Sequence, residues 1–251
     1  MKNTPPPFAS TPSTSTSLEV DWLLPAALPS LGFDALPQRE KKHARTRLGL
    51  LDALVERLDE HRLDGIAVKD LANDVGVSPA TVFNHFANKG ELLTYFIVLW
   101  GIEVGLLTRR LVHAEELVLP AIAALFEHTA AHVAAHPSVM LEIIAHQARM
   151  PLNPTLPSIT RAERLLRFGR IPGVLEQPSG GLEVVLPRLI ARAMENGELP
   201  PHTDVTQMTV ALASTFLGVP LLLGRAQPEA VGACYSAQIA LIWTGARASP
   251  G

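Results

Sequence analysis

The 251-residue sequence has a single cysteine, Cys234. One thiol excludes an internal disulfide and a cysteine metal cluster, so a reducing cytoplasm is the expected compartment. A lone cysteine in an apolar run is ordinarily inert core. Charged residues are scarce at 18%, and the net charge of −3 excludes a basic coat for nucleic acid over the whole chain. There is no Gly-x-Ser-x-Gly elbow, and no glycine-rich phosphate loop followed by Lys and Ser or Thr. Neither nucleophilic hydrolysis nor nucleotide chemistry has a foothold, so no enzyme and no cofactor are expected. The opening KNTPPPFASTPSTSTS has no apolar core of a secretory signal. No alternating strand pattern persists, and no repeat recurs. Two charge-free runs, 205–224 and 230–246, stand out. The first is long enough to span a bilayer. Thr206, Gln207, Thr209, Ser214, Thr215, Gly218 and Pro220 interrupt it, so no membrane role is expected.

Helical periodicity accounts for most of what is present. Residues 1–38 are rich in Pro, Ser and Thr; the first seventeen are expected to be disordered, and the rest to dock loosely or not at all. Helices are expected at about 40–62, 88–110, 117–135, 138–149, 158–169, 182–196, 203–224 and 228–247, with loops at PLNPTLP and 171–181. The fold class is therefore all-α. A small N-terminal domain, 39–88, precedes a larger helical domain, 89–251. Hydrophobic residues make up 47%, enough for a sizeable core and for apolar surface buried between subunits.

The most informative stretch is 68–92, VKDLANDVGVSPATVFNHFANKGEL. Leu71, Ala72 and Val75 line one face of a first short helix. Gly76 permits a sharp turn, and Val77 fills the corner. Ser78 is placed to cap the next helix, with Pro79 at its first position, where a missing N–H costs nothing. Val82, Phe83 and Phe86 are expected to face inward, which leaves Ala80, Thr81, Asn84 and His85 facing out. That is a helix-turn-helix, whose second helix enters the DNA major groove. Ala80, Thr81 and Asn84 suit base edges, Asn84 preferring adenine. Ser78, Thr81, His85 and Lys89 suit phosphates. Upstream, 39–47 (REKKHARTR) holds five Lys or Arg against one Glu. Arg45 and Arg47 in that cluster are candidates for DNA contact.

These residues resemble the DNA-binding domain of the TetR (tetracycline-repressor-like) family of bacterial regulators. The resemblance rests on Leu71-Ala72, Gly76-Val77-Ser78, Thr81-Val82-Phe83, His85-Phe86 and Lys89, with Leu50-Leu51-Asp52-Ala53 opening the first helix. It covers about 45–95. Three positions depart from the pattern: Phe83 stands where tyrosine is frequent, Ala67 where a capping threonine is, and Arg62 where glycine closes the first helix. The resemblance implies that Lys69 can touch DNA. It implies a homodimeric repressor on a palindromic operator, with half-site centres roughly 34–36 Å apart. It also implies a cavity in the larger domain for a small apolar or amphipathic effector. Trp100, Phe126, Met140, Ile144 and Phe168 are expected to line that cavity, with His132 or Gln147 as polar anchors.

The last two helices are apolar around much of their circumference, which demands cover on more than one side. A four-helix interface between two copies supplies it, with Ala211, Ser214, Gly218, Ala233, Ala237, Ile239 and Ala240 allowing close approach. His128, His132 and His136 recur at intervals of four, but the third drifts about 80° from the first, so no metal site is expected. Two other readings compete: a DNA-binding regulator without a ligand, and a ligand-binding protein with a degenerate helix-turn-helix.

Overall fold

A computed structural model describes residues 31–114, 117–151, 154–169 and 171–248. The expected disorder of the first seventeen residues lies outside them. Among the described residues there are eleven α-helices and no strand. The small domain comprises α2 (Gln38–Leu58), α3 (Val68–Val75) and α4 (Pro79–His85). Ahead of them, α1 (Leu31–Asp34) ends the N-terminal extension. This part of the extension is docked: Phe33 is fully buried, and the Arg45 guanidinium lies 5.4 Å from its ring centroid.

The larger domain holds α5 (Lys89–Ala114), α6 (Val118–Ala135), α7 (Pro137–Gln147), α8 (Arg161–Phe168), α9 (Leu182–Glu195), α10 (Val205–Leu223) and α11 (Val231–Ala248). Local chemistry sets their ends. Asn88 accepts from the Glu91 amide at the start of α5, while Glu91 accepts from the Ala87 amide. Thr160 and Glu163 form a reciprocal capping box on α8. Asp204 accepts from the Gln207 amide to cap α10. Leu117 cannot cap α6, so Glu198 does it from afar, accepting from the amides of Val118 (2.6 Å) and Leu119 (3.0 Å). The first helix ends at Leu58, four residues short of the expected 62. A 3₁₀ turn, Leu63–Gly65, fills the gap, where Arg62 replaces a helix-closing glycine.

The apolar core is two clusters. One joins the small domain to α5 and α8 through Leu51, Leu54, Leu71, Phe86, Leu92, Phe96 and Leu165. The other lies among α6, α9, α10 and α11 around Phe126, Phe216 and Tyr235, whose rings meet at centroid distances of 4.9–6.1 Å. The long helix α5 contributes to both clusters, Leu92–Leu99 to the first and Trp100, Val104 and Leu107 to the second. It therefore couples them mechanically. Three helices, over 89–111, 118–135 and 205–223, are long and apolar enough to cross a membrane. The first is 83% buried in this fold, but the third only 28%. Its open face carries Val210, Leu221 and Leu222, all exposed.

Candidate nucleic-acid interface and effector cavity

The helix-turn-helix is built by short-range chemistry. Gly76 ends α3 at φ 71°, ψ 36°, a left-handed conformation that costs a side-chain-bearing residue strain, and the Val77 amide closes the turn on the Ala72 carbonyl at 2.9 Å. Ser78 Oγ accepts from the Thr81 amide at 3.1 Å and lies 2.9 Å from Thr81 Oγ1. Ala67 makes no side-chain cap on α3. Instead, Arg57 of α2 clamps α3 through Asp74 (Nε–Oδ2 2.6 Å, Nη2–Oδ1 2.9 Å). Leu71, Ala72, Val82 and Phe86 are buried beneath.

Ala80, Phe83 and Asn84 form the exposed face of α4. Phe83 was expected to face inward; it is 55% exposed. The physical reason is periodicity: in a helix this short, only Val82 and Phe86, four apart, reach the core. Lys69 and Arg45 are exposed on the same domain. Thr81 and His85 are half-buried. The His85 ring sits 4.8 Å from that of His43, and burial, with His43 and Arg47 nearby, lowers its pKa.

Two of the expected phosphate ligands have other work. Arg47 is buried, with its guanidinium 4.9 Å from the Phe86 centroid and 4.3 Å from that of Tyr95, and Nη1 3.2 Å from Glu163 Oε1. Glu163 also accepts from the Tyr95 hydroxyl at 2.8 Å. Arg47 shares a helix face with the buried Ala44, Leu48, Leu51 and Leu54, and assigning it to DNA with the rest of the basic run overlooked that. Lys89 donates to the carbonyls of Leu63 (2.6 Å), Asp64 (3.0 Å) and Ile66 (2.6 Å). An ammonium has three protons, so none is left for phosphate in this conformation. Lys89 ties the start of α5 to the loop before α3.

The larger domain contains a cavity of about 370 Å³ between α5, the end of α7, the loop 179–182 and α10. Ile97, Val98, Trp100, Val104, Leu182 and Leu217 give it apolar walls, and Gln147, Ser179, Glu183 and Thr209 are its polar lining. Of the seven residues expected to line a pocket, Trp100 and Gln147 are here. His132 and Met140 line a smaller cleft shared with Val55 of α2, and Ile144 is half-buried against the second cluster. Phe126 and Phe168 are corrections: both are packed into core. Their burial satisfies the same apolar pattern that suggested a lining. Sequence reading missed Gly101. A Cβ there would stand 3.0 Å from the Gly180 carbonyl oxygen, so a side chain would press the loop back from α5 by a few tenths of an ångström. It also missed Thr209, a lining residue whose hydroxyl is buried away from the cavity without a hydrogen-bond partner.

The histidine row is divided. His128 and His132 rings meet edge to face at 4.7 Å, and burial lowers their pKa values to about 4 and about 3. His136 leaves the row, with Nδ1 2.7 Å from Asp59 Oδ2 at the end of α2. On the outer face of α10 and α11, Ser214, Ala233, Ala237 and Ala240 are exposed, Ala211 and Gly218 half-exposed. Ile239 is a correction: with Val231, Tyr235 and Trp243 it repeats every four residues and is buried inside the subunit.

A helix-turn-helix with an open second helix, tied by one long helix to a cavity-bearing helical domain, is the arrangement of a DNA-binding regulator. Residues 50–96 match the family described as bacterial regulatory proteins, tetR family. The match covers the helix-turn-helix domain, and the described residues have the fold of TetR-family regulators. Similar solved structures include Thermus thermophilus FadR, a repressor in complex with lauroyl-CoA, at a TM-score of 0.57 and 16% identity over 82% of this chain and 99% of that one. Bacillus subtilis FadR in complex with stearoyl-CoA gives a TM-score of 0.54 and 16% identity over 79% and 98%. A ketosteroid transcriptional regulator of Mycobacterium tuberculosis gives 0.51 and 17% over 81% and 95%. No curated protein matches the sequence.

Proposed function

We propose that this chain is a ligand-responsive transcriptional repressor that binds a palindromic operator in the cytoplasm as a homodimer. The observation that carries the reading is α4, where a fully formed turn and cap present Ala80, Phe83 and Asn84 to solvent. Asn84 and Ala80 contact base edges, Thr81 and Ser78 the adjoining backbone, and Lys69 and Arg45 supply phosphate charge. His85 adds a neutral donor. Two copies join through the outer faces of α10 and α11, which explains why α10 is apolar yet mostly uncovered. Leu222, at 79% exposure, is its clearest sign.

The effector occupies the 370 Å³ cavity. Its walls include the middle of α5, and the first residue of the same helix holds the loop before α3. A ligand that fits only one setting of α5 shifts the small domain with it. Equal affinity for both settings would shift nothing. The His136–Asp59 and Arg167–Asp52 contacts, the latter at 2.9 Å, are further ties that such a movement must carry or break.

Binding of mixed-sequence duplex DNA at rising salt tests the reading. The affinity should fall linearly on a log–log plot, and Lys69→Ala or Arg45→Ala should each reduce the slope by about 1. Failure of the folded chain to bind any duplex at low salt would overturn it.

A further inference from the structure

The described end of the N-terminal extension is bound to the basic run of α2. Phe33 is fully buried in the cluster that joins the small domain to α5 and α8, and Leu36 packs against the same cluster. α1 itself lies against α8. Two cations of α2 reach back to it. Lys41 Nζ donates to the Asp34 carbonyl at 3.0 Å, and the Arg45 guanidinium stands over the Phe33 ring, 5.4 Å from its centroid. Lys41 and Arg45 are four residues apart, so they share one face of α2, and α1 docks on that face.

Arg45 is exposed, although the ring beneath its guanidinium has no exposure at all. The guanidinium is therefore part of the ring's cover, and swinging it away would open the ring to water. The π face also attracts a cation at this distance. Both effects narrow the conformations of a side chain that is otherwise among the most mobile. The contact leaves the hydrogen-bonding capacity of Arg45 intact. A ring offers no oxygen acceptor, so the N–H donors of the guanidinium stay available to a phosphate. Arg47, two residues on, has the opposite arrangement: it is buried, with Nη1 3.2 Å from a carboxylate oxygen of Glu163.

We infer that Phe33 is a positioning residue for DNA binding: it holds the Arg45 guanidinium in place for a backbone phosphate, which makes the end of the extension a working part of the DNA-binding domain. The inference rests on reading Arg45 as a phosphate ligand. A cation already held in place loses less freedom when it binds, and the difference appears as affinity.

Binding of the full chain to mixed-sequence duplex at low and rising salt tests this, with thermal unfolding of every variant as a control and binding measured well below its melting temperature. In Phe33→Leu, leucine keeps most of the buried apolar volume but has no π face. It should weaken binding by the parent and by Lys69→Ala alike, about two- to fivefold. It should not weaken Arg45→Ala further, because the side chain that Phe33 positions is already gone. Equal weakening in all three backgrounds would show that Phe33 only supports the fold and would overturn the inference. Parental affinity in Phe33→Leu would overturn it too, and in both cases Arg45 stays a phosphate ligand if Arg45→Ala lowers the salt slope. An Arg45→Ala variant with the parental affinity and slope would remove Arg45 from the phosphate contacts, and the inference with it.

Discussion

Asn84 and Phe83 lie side by side on the open face of α4, and they should fail differently when changed. An amide can accept from and donate to one base, so Asn84→Ala should relax sequence preference at one or two positions, by about 1–3 kcal/mol. Binding to a permuted operator panel measures it; an unchanged preference would remove Asn84 from base readout. Phe83 offers only a hydrophobic surface. Phe83→Tyr adds a hydroxyl and should tighten binding to every sequence alike if the ring lies against the backbone. Arg47 sits on rings and a carboxylate instead of solvent, so Arg47→Ala should cost stability, about 3–5 kcal/mol, by leaving Glu163 buried without its cation. Denaturant unfolding reads that directly, and a loss of DNA affinity at unchanged stability would contradict it. These residues also mark what a sequence discloses. Gly76, Ser78 and Pro79 act within three or four positions of themselves, and their roles were legible. Arg47 and Lys89 act through partners 116 and about 25 positions away, a distance no local pattern reports.

At the scale of the element, α5 and α6 carry the next expectations. Lys89→Met removes three carbonyl bonds at the head of α5. It should lower the melting temperature and weaken DNA binding while leaving the salt slope unchanged, since no phosphate contact is lost. A slope reduced by about 1 would return Lys89 to the DNA face. On α6, His128 and His132 are held below their ordinary value of 6.5, at about 4 and about 3. The unfolded chain therefore takes up protons first as the pH falls. Their neutral burial costs nothing above pH 6.5, and stability is lost from there down towards pH 3. A His128→Leu/His132→Leu variant should lose less melting temperature between pH 7 and 4.5 than the parent. Parallel curves would show that the pair does not titrate with unfolding. Helix positions were legible to within a few residues, because apolar periodicity and caps are local signals. The cavity walls were not. Phe126 and Trp100 carry the same pattern and share the second cluster, yet only Trp100 also borders the cavity, because the loop at Gly180 crosses α5 beside it.

At the scale of the molecule, the open faces of α10 and α11 need a partner of matching shape. In the homodimer we propose, a second copy covers them by symmetry, with exposed small residues such as Ala233, Ala237 and Ala240 allowing close approach. Leu222→Glu with Leu241→Glu should convert a dimer into a folded monomer, seen by light scattering, and should weaken operator binding severely because two half-sites no longer act together. A parent that is monomeric at micromolar concentration would refute the interface. The central claim, a dimeric reader of DNA sequence, is tested most directly by selecting random duplex DNA with the purified chain at near-physiological salt. The account predicts enrichment of one palindrome whose half-site centres lie about one helical turn apart or slightly more. Recovery of unrelated sequences by a folded protein, with no palindrome enriched, would contradict it.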